Sequence, residues 1–506
     1  MPASPQTDTT VLRWLVAAAF VVILNETITL TAIPRLMADF GVSESTVQWL
    51  STIFLLTMAV VIPVTGWLLQ QVTTRTAFLL AMSVFSVGTM LAAVAWTFPV
   101  LVVARLVQAS GTAVMMPLLM TTLMAVVPPR ERGRVMGNVT LAISVAPALG
   151  PAVSGLVLQV LSWRWIFLVV LPVAALVTIG GLRHLTNVGE RVPSRVDWAS
   201  VALAAVGFGS LVYGLSELGV AEDPRVAWTF LAVGVVGVAL FVLRQISLQR
   251  EDRPLLDLRT LRLRVFTVSL SAMALGFLAM LGSMILLQFY LQDQRGLTPL
   301  QTGLLVMPGG LVMGLLGPRV GRLYDRYGSR VLVRPGALLV VLGLVGFALV
   351  GQTTPLWVVL LLHMGLMGGL ALMFTPLLTM GLGALPPHLY SHGSSLLGTS
   401  QQVAGAFGTA LVVMVMASRA DALVAGGMVM QDAKLAGMHW AFALSAALAV
   451  VVLGLVSTLP ARVDDPHAGA LHAGDDGDLG GDLGGDLGRD PGGDRKGELE
   501  TDEVTA

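Results

Sequence analysis

Fourteen apolar runs of membrane-spanning length constrain the fold of this sequence more than any other feature. An α-helix rises about 1.5 Å per residue, so roughly 20 apolar residues cross a hydrocarbon core about 30 Å thick. Only 12% of the residues are charged and the mean hydropathy is +0.81. The sequence therefore predicts an all-α polytopic membrane protein with fourteen transmembrane helices. The runs are 11–34, 47–70, 76–96, 98–121, 134–159, 163–183, 197–217, 226–246, 266–290, 300–322, 331–350, 355–383, 395–417 and 438–459.

The arginines and lysines between the runs predict the orientation of the chain. If the first residue is inside the cell, the inner segments carry 20 basic residues and the outer loops carry six. Basic loops tend to remain on the cytoplasmic side. Both termini are therefore predicted to be cytoplasmic, with the protein in the inner (cytoplasmic) membrane. The first run is longer than a signal-peptide core and lacks a convincing cleavage site, which predicts a retained helix.

A weak internal repeat indicates how the runs are grouped. GWLLQQVTTR at 66–75 and GRLYDRYGSR at 321–330 each follow a proline within a run. Two six-helix units around a central cavity suit a secondary transporter, in which one half rocks against the other. Residues from 463 onward carry 13 acidic and three basic groups and few apolar ones, a composition typical of disorder. We predict a cytoplasmic N-terminus (1–10), a six-helix bundle (11–184), an inserted helix pair with cytoplasmic loops (185–265), a second six-helix bundle (266–460) and a disordered acidic cytoplasmic tail (461–506).

Glu26 lies deep within the first run and is the strongest candidate for a functional group. A carboxylate near the bilayer centre costs at least ~2.5 kcal/mol, so such groups usually face a cavity or a partner. Arg105 in the fourth run is predicted to lie at a similar depth. A guanidinium favours the ionised carboxylate, whereas burial favours the protonated acid, and this balance suits proton exchange. We predict proton coupling by Glu26 and Arg105; the alternative is a static pair that joins two helices.

Several polar or flexible side chains are candidates for the wall of a central cavity. Gln108 lies one helical turn from Arg105 and therefore on the same face. Methionine provides adaptable apolar walls, although most of the 24 methionines must be filler. His363 is a weaker candidate for proton relay, because a lone histidine is more often structural. The predicted cavity residues are Asn25, Gln108, Met115, Gln288 and Gln401.

Four short motifs stand in order along the first half of the chain. They are LNETITLTAIP (24–34), ARLVQASGTA (104–113), APALGPAVSG (146–155) and WRWIF (163–167). Together they resemble the fourteen-helix drug:proton antiporter branch of the major facilitator superfamily, over almost everything from Val11 to Pro460. The resemblance implies a multidrug efflux permease. In the first motif the usual aspartate register holds Asn25, and the acid stands one place later at Glu26.

The resemblance also implies roles for two further groups of residues. The fifth run is implied to form a kinked, close-packed wall that suppresses proton leak, against the alternative of a plain helix contact. The loop after the tenth run is implied to form a cytoplasmic gate, against the alternative of a positive-inside anchor. The corresponding loop after the second run has Gln70 and Thr73 in place of the usual Asp and Gly. The antiporter motif comprises Pro147, Gly150, Pro151 and Gly155, and the gate comprises Gly321, Asp325, Arg326 and Arg330.

No enzyme signature accompanies these features. The sequence has no cysteine, no cluster of metal ligands, and neither GxxxxGK[ST] nor GxSxG. We therefore expect no enzymatic activity, cofactor, metal or nucleic-acid partner, and an ion gradient as the energy source. The prediction is antiport of amphipathic drugs or antibiotics against protons by a monomer in the lipid bilayer. The alternatives are a dedicated exporter of one metabolite or lipid, and a transport-like sensor or scaffold.

Overall fold

The computed structural model describes residues 9–188, 196–218, 223–251 and 253–461. Within these residues each predicted apolar run forms one long helix, and no strand occurs. The predicted all-α polytopic fold is confirmed. Most of the predicted N-terminus and nearly all of the predicted tail lie outside the described residues. The long helices are α1 Thr9–Thr31, α2 Trp49–Gln71, α3 Thr74–Ala93, α4 Phe98–Val126, α5 Arg132–Val160, α6 Arg164–His184, α7 Trp198–Glu217, α8 Pro224–Leu248, α9 Arg264–Phe289, α10 Pro299–Tyr327, α11 Arg330–Phe347, α12 Leu356–Gly383, α13 Tyr390–Ala425 and α14 Met430–Ser457.

Thirteen of these helices in the described residues are long and apolar enough to cross a membrane. The remaining long helix is α5, which contains 29 residues. It includes Pro147 and Pro151, yet it continues as one helix from Arg132 to Val160. The chain is therefore a multi-pass membrane protein. Two short helices, Ile33–Phe40 and Glu44–Val47, connect α1 to α2.

Capping side chains fix the positions at which several helices begin. Thr73 accepts a hydrogen bond from the amide of Thr76 at the start of α3. Thr298 and Gln301 form a reciprocal capping box at the start of α10. Each cap satisfies amide groups that have no partner within the helix. These local signals explain why the helices begin close to the ends of the apolar runs.

The first six long helices pack around α1 and α4. The helices α4, α5 and α6 contact α1, while α2 and α3 contact α4. In the last six, α9 contacts α12, α13 and α14, and α10 packs on α12. Glycines allow the closest crossings. A Cβ atom at Gly88 of α3 would lie 2.7 Å from the Gln108 Cα atom of α4.

The helices α7 and α8 pack against each other, and α7 also contacts α2 and α13. Their polar anchor joins Asp197, at the start of α7, to Arg244 near the end of α8. Two hydrogen bonds of 2.6 Å link the guanidinium to the carboxylate. The side-chain hydrogen bond from Arg244 lowers the pKa of Asp197 to about 2. The buried Gln245 accepts hydrogen bonds from the amides of Leu255 and Leu256, so the segment after α8 is tied to this pair.

Candidate functional site: a membrane-buried polar cluster and a closed basic side

Arg105 lies at the centre of a buried polar cluster on α4, where only 2% of its surface is exposed. Its Nη1 atom donates to the Gln108 Oε1 atom at 2.6 Å and to the Thr29 hydroxyl at 3.4 Å. The Nε atom donates to the Leu50 carbonyl at 3.5 Å, and the guanidinium lies 4.2 Å from the Phe54 ring centroid. Arg105 therefore joins α4 to α1 and α2. Its direct contacts are neutral acceptors and an aromatic face, and its charge also interacts electrostatically with the Glu26 carboxyl.

Gln108 extends this cluster to α3. Its amide nitrogen donates to the Thr89 hydroxyl at 2.8 Å, and Thr89 in turn donates to the Phe85 carbonyl at 2.8 Å. Gln108 is completely buried. The predicted adjacency of Gln108 and Arg105 on one face corresponds to a direct hydrogen bond. In this conformation Gln108 holds the guanidinium in place and does not line an open cavity.

Glu26 is partly exposed, although it lies within a spanning helix, five residues before the last residue of α1. No hydrogen bond or ion pair joins it to another residue in the part of the chain that the structure describes. Thr29, which accepts from Arg105, follows three residues later on α1, a rise of about 4.5 Å. The guanidinium therefore reaches the helical turn that carries Glu26. The two predicted coupling residues lie on neighbouring helices without direct contact.

Asn25 points in a different direction from Glu26. Only 1% of its surface is exposed, and neither its amide oxygen nor its amide nitrogen has a hydrogen-bond partner among the described residues. Thr29 donates its hydroxyl to the Asn25 carbonyl at 3.0 Å. Neighbouring residues on a helix differ by about 100° in direction. Asn25 is thus buried between packed helices, whereas the Glu26 side chain is partly exposed.

The antiporter motif on α5 contacts α1 at the residue after Glu26. A Cβ atom at Gly150 would overlap the Thr27 hydroxyl, so only glycine allows this approach. A Cβ atom at Gly155 would meet nothing within 4 Å, and Pro147 is exposed. Of the two motif glycines, Gly150 therefore makes the close packing implied for this motif and Gly155 does not. Pro151 lies within α5.

The other predicted cavity residues occupy different environments. Met115 is fully buried in the core, Gln288 is exposed near the end of α9, and Gln401 is half-buried on α13. His363 is 2% exposed, and its ring lies where a Cβ atom at Gly309 would stand. This contact favours the structural interpretation of His363.

Asp325 lies at the end of α10 and caps α5. Its two carboxylate oxygens accept hydrogen bonds from the amides of Gly133 and Arg134 at 2.9 and 2.7 Å. These amides belong to the first turn of α5, where the helix dipole favours a negative charge. A Cβ atom at Gly321, one turn earlier on α10, would overlap the Gly133 carbonyl. The predicted gate residues Gly321 and Asp325 thus meet one helix end.

The gate arginines Arg326 and Arg330 lie at the end of α10 and the start of α11. Arg330 donates its Nε hydrogen to the Leu459 carbonyl at 3.0 Å, which anchors α11 to the end of α14. The guanidinium of Arg326 lies 5.1 Å from the Tyr327 ring centroid.

A set of contacts that the sequence interpretation did not identify joins the first six helices to the last six. A Cβ atom at Gly137 would overlap the Gly317 carbonyl, so α5 and α10 cross backbone to backbone. The signal was present as GRVMG (133–137) and GPRVG (317–321), since paired GxxxG segments favour close helix crossing. Hydroxyl pairs add to this interface at Thr65 and Ser395 (2.8 Å), Thr121 and Ser394 (2.9 Å), and Thr140 and Thr375 (3.1 Å).

Two more cross-contacts lie between α2, α5 and the start of α13. Gln70 donates to the His388 carbonyl at 3.1 Å, and Arg132 donates to the Tyr390 hydroxyl at 3.2 Å. Gln70 therefore joins the halves without the aspartate that the resemblance leads one to expect there. We call the side of the protein that carries Arg132 and Asp325 the basic side. In this conformation the two sets of helices are joined on that side.

The WRWIF segment fastens the opposite side of the first six helices. Trp163 donates its indole hydrogen to the Asp39 carboxylate at 2.7 Å, and Arg164 donates to the Ala95 carbonyl at 3.1 Å. The Arg164 guanidinium also lies 4.3 Å from the Trp163 ring centroid. These contacts hold the short helix after α1 and the end of α3 against the start of α6. The WRWIF motif therefore has a structural role in the packing of the first six helices.

The spanning helices define a polytopic membrane protein. The chain belongs to the Major Facilitator Superfamily, a family of transporters and not of enzymes, which it matches over residues 15–409. It is 39% identical to the uncharacterized MFS-type transporter YcnB of Bacillus subtilis over 447 residues, covering 88% of this chain and 93% of that protein. It is 37% identical to the lincomycin resistance protein LmrB of the same organism over 452 residues, covering 87% and 93%. The human organic anion transporter MFSD10 (TETRAN) has a similar fold, with a TM-score of 0.62 and 16% identity over 90% of this chain and all of that one.

Proposed function

We propose that this transporter exports amphipathic drugs or antibiotics in exchange for protons. The observation that carries the proposal is the position of Glu26, a partly exposed acid within the spanning helix α1. The buried Arg105 guanidinium reaches the helical turn that carries it. An acid within a membrane helix marks a proton relay or a substrate counter-ion more often than a structural group. The relative LmrB, named for lincomycin resistance, supports a drug as the substrate.

The proposed cycle is alternating access by the two six-helix bundles, 11–184 and 266–460, in a monomer. With both termini in the cytoplasm, the basic side faces the cytoplasm in the inner membrane. The contacts through Asp325, the crossing glycines and the hydroxyl pairs then correspond to the state that is closed towards the cytoplasm. These contacts must break when the bundles rock to admit a drug from the inside.

In this cycle Glu26 takes up a proton from outside and releases it to the cytoplasm. A cationic drug in the cavity competes for the same carboxylate, because opposite charges attract strongly where the dielectric is low. Arg105 supplies the positive field that favours proton release, and Gln108 holds its guanidinium. We propose Gln288 and Gln401 as substrate contacts in this state, since neither is fully buried. Asn25 and Met115 become contacts only if the cavity expands in the other state.

The test uses the purified full chain in vesicles, with lincomycin as the first probe and proton release as the readout. The variant Glu26→Gln keeps the shape of the side chain but carries no exchangeable carboxyl proton. We expect it to lose uphill export and drug-driven proton release while downhill exchange of uncharged drugs persists. Asp421→Asn, which neutralises an exposed acid near the end of α13, is the matched control.

The same assay separates the alternatives. Unchanged uphill export and proton release in Glu26→Gln would overturn the role of Glu26. A parent protein that gives no proton signal with any of several unrelated drugs would favour a sensor or scaffold. Protection of a pump-deficient host against one compound alone would favour a dedicated exporter, whereas protection against several unrelated compounds supports multidrug export.

A further inference from the structure

A groove of about 780 Å³ runs between α1 and α5 on the basic side. Its polar residues are Arg13, Glu131, Arg134 and Asn138, which lie within the first two turns of the two helices or just before α5. Deeper in the membrane the lining is apolar and ends at Phe20 and Val145. The groove therefore has one polar end and one apolar end, arranged along the membrane normal.

The groove is continuous with an exposed apolar face of α5. Its α5 residues Asn138, Ala142 and Val145 are spaced by four and three positions, which places them on one helical face. That face continues to Leu149 and Leu156, which are 42% and 67% exposed. All the residues that line the groove belong to α1, to α5 or to the turn before α5, and none belongs to the last six helices.

The polar end of the groove carries two arginines whose guanidinium groups form no hydrogen bond or ion pair in the described ranges. These arginines, Arg13 and Arg134, are both exposed. The backbone amide of Arg134 donates to Asp325, and the Arg134 charge also interacts electrostatically with that carboxylate without forming an ion pair. Glu131 also lines the groove and offsets one of the two charges, which leaves a net charge of +1 among these lining residues. Basic groups at this depth attract the phosphates of anionic lipids.

The length of the groove matches one acyl chain. From Arg134 to Val145 the helix advances 11 residues, or roughly 16 Å, about half of a hydrocarbon core of ~30 Å. A lipid of the adjoining leaflet that places its headgroup at Arg134 thus lays its chain along the apolar lining. We propose that this groove binds one anionic phospholipid, with its phosphate on Arg13 and Arg134 and one chain between α1 and α5.

The test is native mass spectrometry of the full protein titrated with phosphatidylglycerol, and in parallel with phosphatidylcholine of the same chains. We expect one preferentially retained phosphatidylglycerol. Each of Arg13→Gln and Arg134→Gln should weaken its retention about fivefold, which corresponds to ~1 kcal/mol per basic group at a membrane surface. Arg75→Gln removes an exposed arginine at the start of α3, outside the groove, and should leave retention unchanged.

A second variant tests the apolar part independently of charge. Ala142→Phe fills the groove from the α5 side and should prevent retention, while an unchanged melting temperature shows that the fold is intact. If soluble glycerol phosphate displaces the lipid, the charged end alone provides the affinity and the acyl groove is refuted. Equal retention of both lipids, or the same loss in Arg75→Gln as in the groove variants, would refute the whole proposal.

Discussion

Replacing Asp325 should weaken the closed state of the basic side, because this carboxylate is the cap of a helix that belongs to the other half of the protein. It accepts from the amides of Gly133 and Arg134 at 2.9 and 2.7 Å. A side-chain cap stabilises a helix start by ~1 kcal/mol, and a negative charge at that end adds about 0.3–1 kcal/mol. Asp325→Ala therefore removes about 2 kcal/mol from the closed state, a roughly 30-fold shift of the open–closed equilibrium.

The conservative variant has a smaller expected effect. Asp325→Asn keeps one acceptor oxygen but loses the charge, so we expect a loss of about 1 kcal/mol and a roughly fivefold shift. Both variants should fold, because the residue lies at the membrane surface and is only partly buried. Transport should slow in proportion to the reduced population of the closed state.

Distances between spin labels measure this equilibrium directly. The chain contains no cysteine, so labels at Arg183→Cys and Arg319→Cys have no background. Both positions are exposed on the basic side, one in the first six helices and one in the last six. We expect the long-distance population to grow from parent to Asp325→Asn to Asp325→Ala. An identical distribution in Asp325→Ala and the parent, or an equal shift in Asp421→Asn, would refute the capping argument.

Three further predictions concern the interface, the inserted helices and the tail. Gly317→Ala places a Cβ atom 2.6 Å from the Gly137 carbonyl oxygen and should destabilise the α5–α10 crossing by ~1–3 kcal/mol. The melting temperature of this variant should fall. The control Gly303→Ala, whose Cβ atom meets open space, should leave the melting temperature unchanged. Arg244 holds the pKa of Asp197 at about 2, below its ordinary 3.8. The ionised Asp197 therefore stabilises the fold fully above about pH 4, and this contribution is lost as the pH falls through about 2. The difference in melting temperature between the parent and Asp197→Asn should accordingly stay constant from about pH 8 to 5 and close below about pH 4. Truncation after Arg462 should leave transport intact because the Gly- and Asp-rich tail offers little apolar surface, and loss of most efflux at normal expression would contradict this.

Hydropathy alone predicts the number and the approximate positions of the spanning helices, but it does not predict the residues at which they begin and end. The run predicted at 395–417 is part of α13, which extends from Tyr390 to Ala425. Its first turns contain His392, Ser394 and Ser395, which are polar yet buried. Ser395 is satisfied by Thr65 across the interface between the halves. Hydropathy alone starts the run only at Ser395 and leaves His392 and Ser394 outside it, because the groups that pack around such polar residues lie far away in the sequence.

In the candidate site, too, local sequence patterns predict neighbours on one helix but not partners on other helices. The spacing of Arg105 and Gln108 predicts that they share a helical face, and they form a hydrogen bond of 2.6 Å. Their links to Thr29 and Thr89 depend on how α1 and α3 are rotated, which no local pattern specifies. The sequence places Asp325 in a predicted gate but does not indicate its partners. The side chain faces α5, because the crossing glycines bring that helix end within hydrogen-bond distance.

The order of Asn25 and Glu26 acquires a physical explanation from this geometry. Position 25 lies on the face of α1 that carries Thr29, and only 1% of its surface is exposed. The side-chain amide of Asn25 has no hydrogen-bond partner among the described residues, so an acid at this position would be buried without a partner. One position later the helix has turned by about 100°, so Glu26 is partly exposed. Its extra methylene compensates for part of the distance back to the guanidinium. We infer that the shift keeps the carboxyl within the field of Arg105 while leaving it open to proton exchange, the combination that coupling requires.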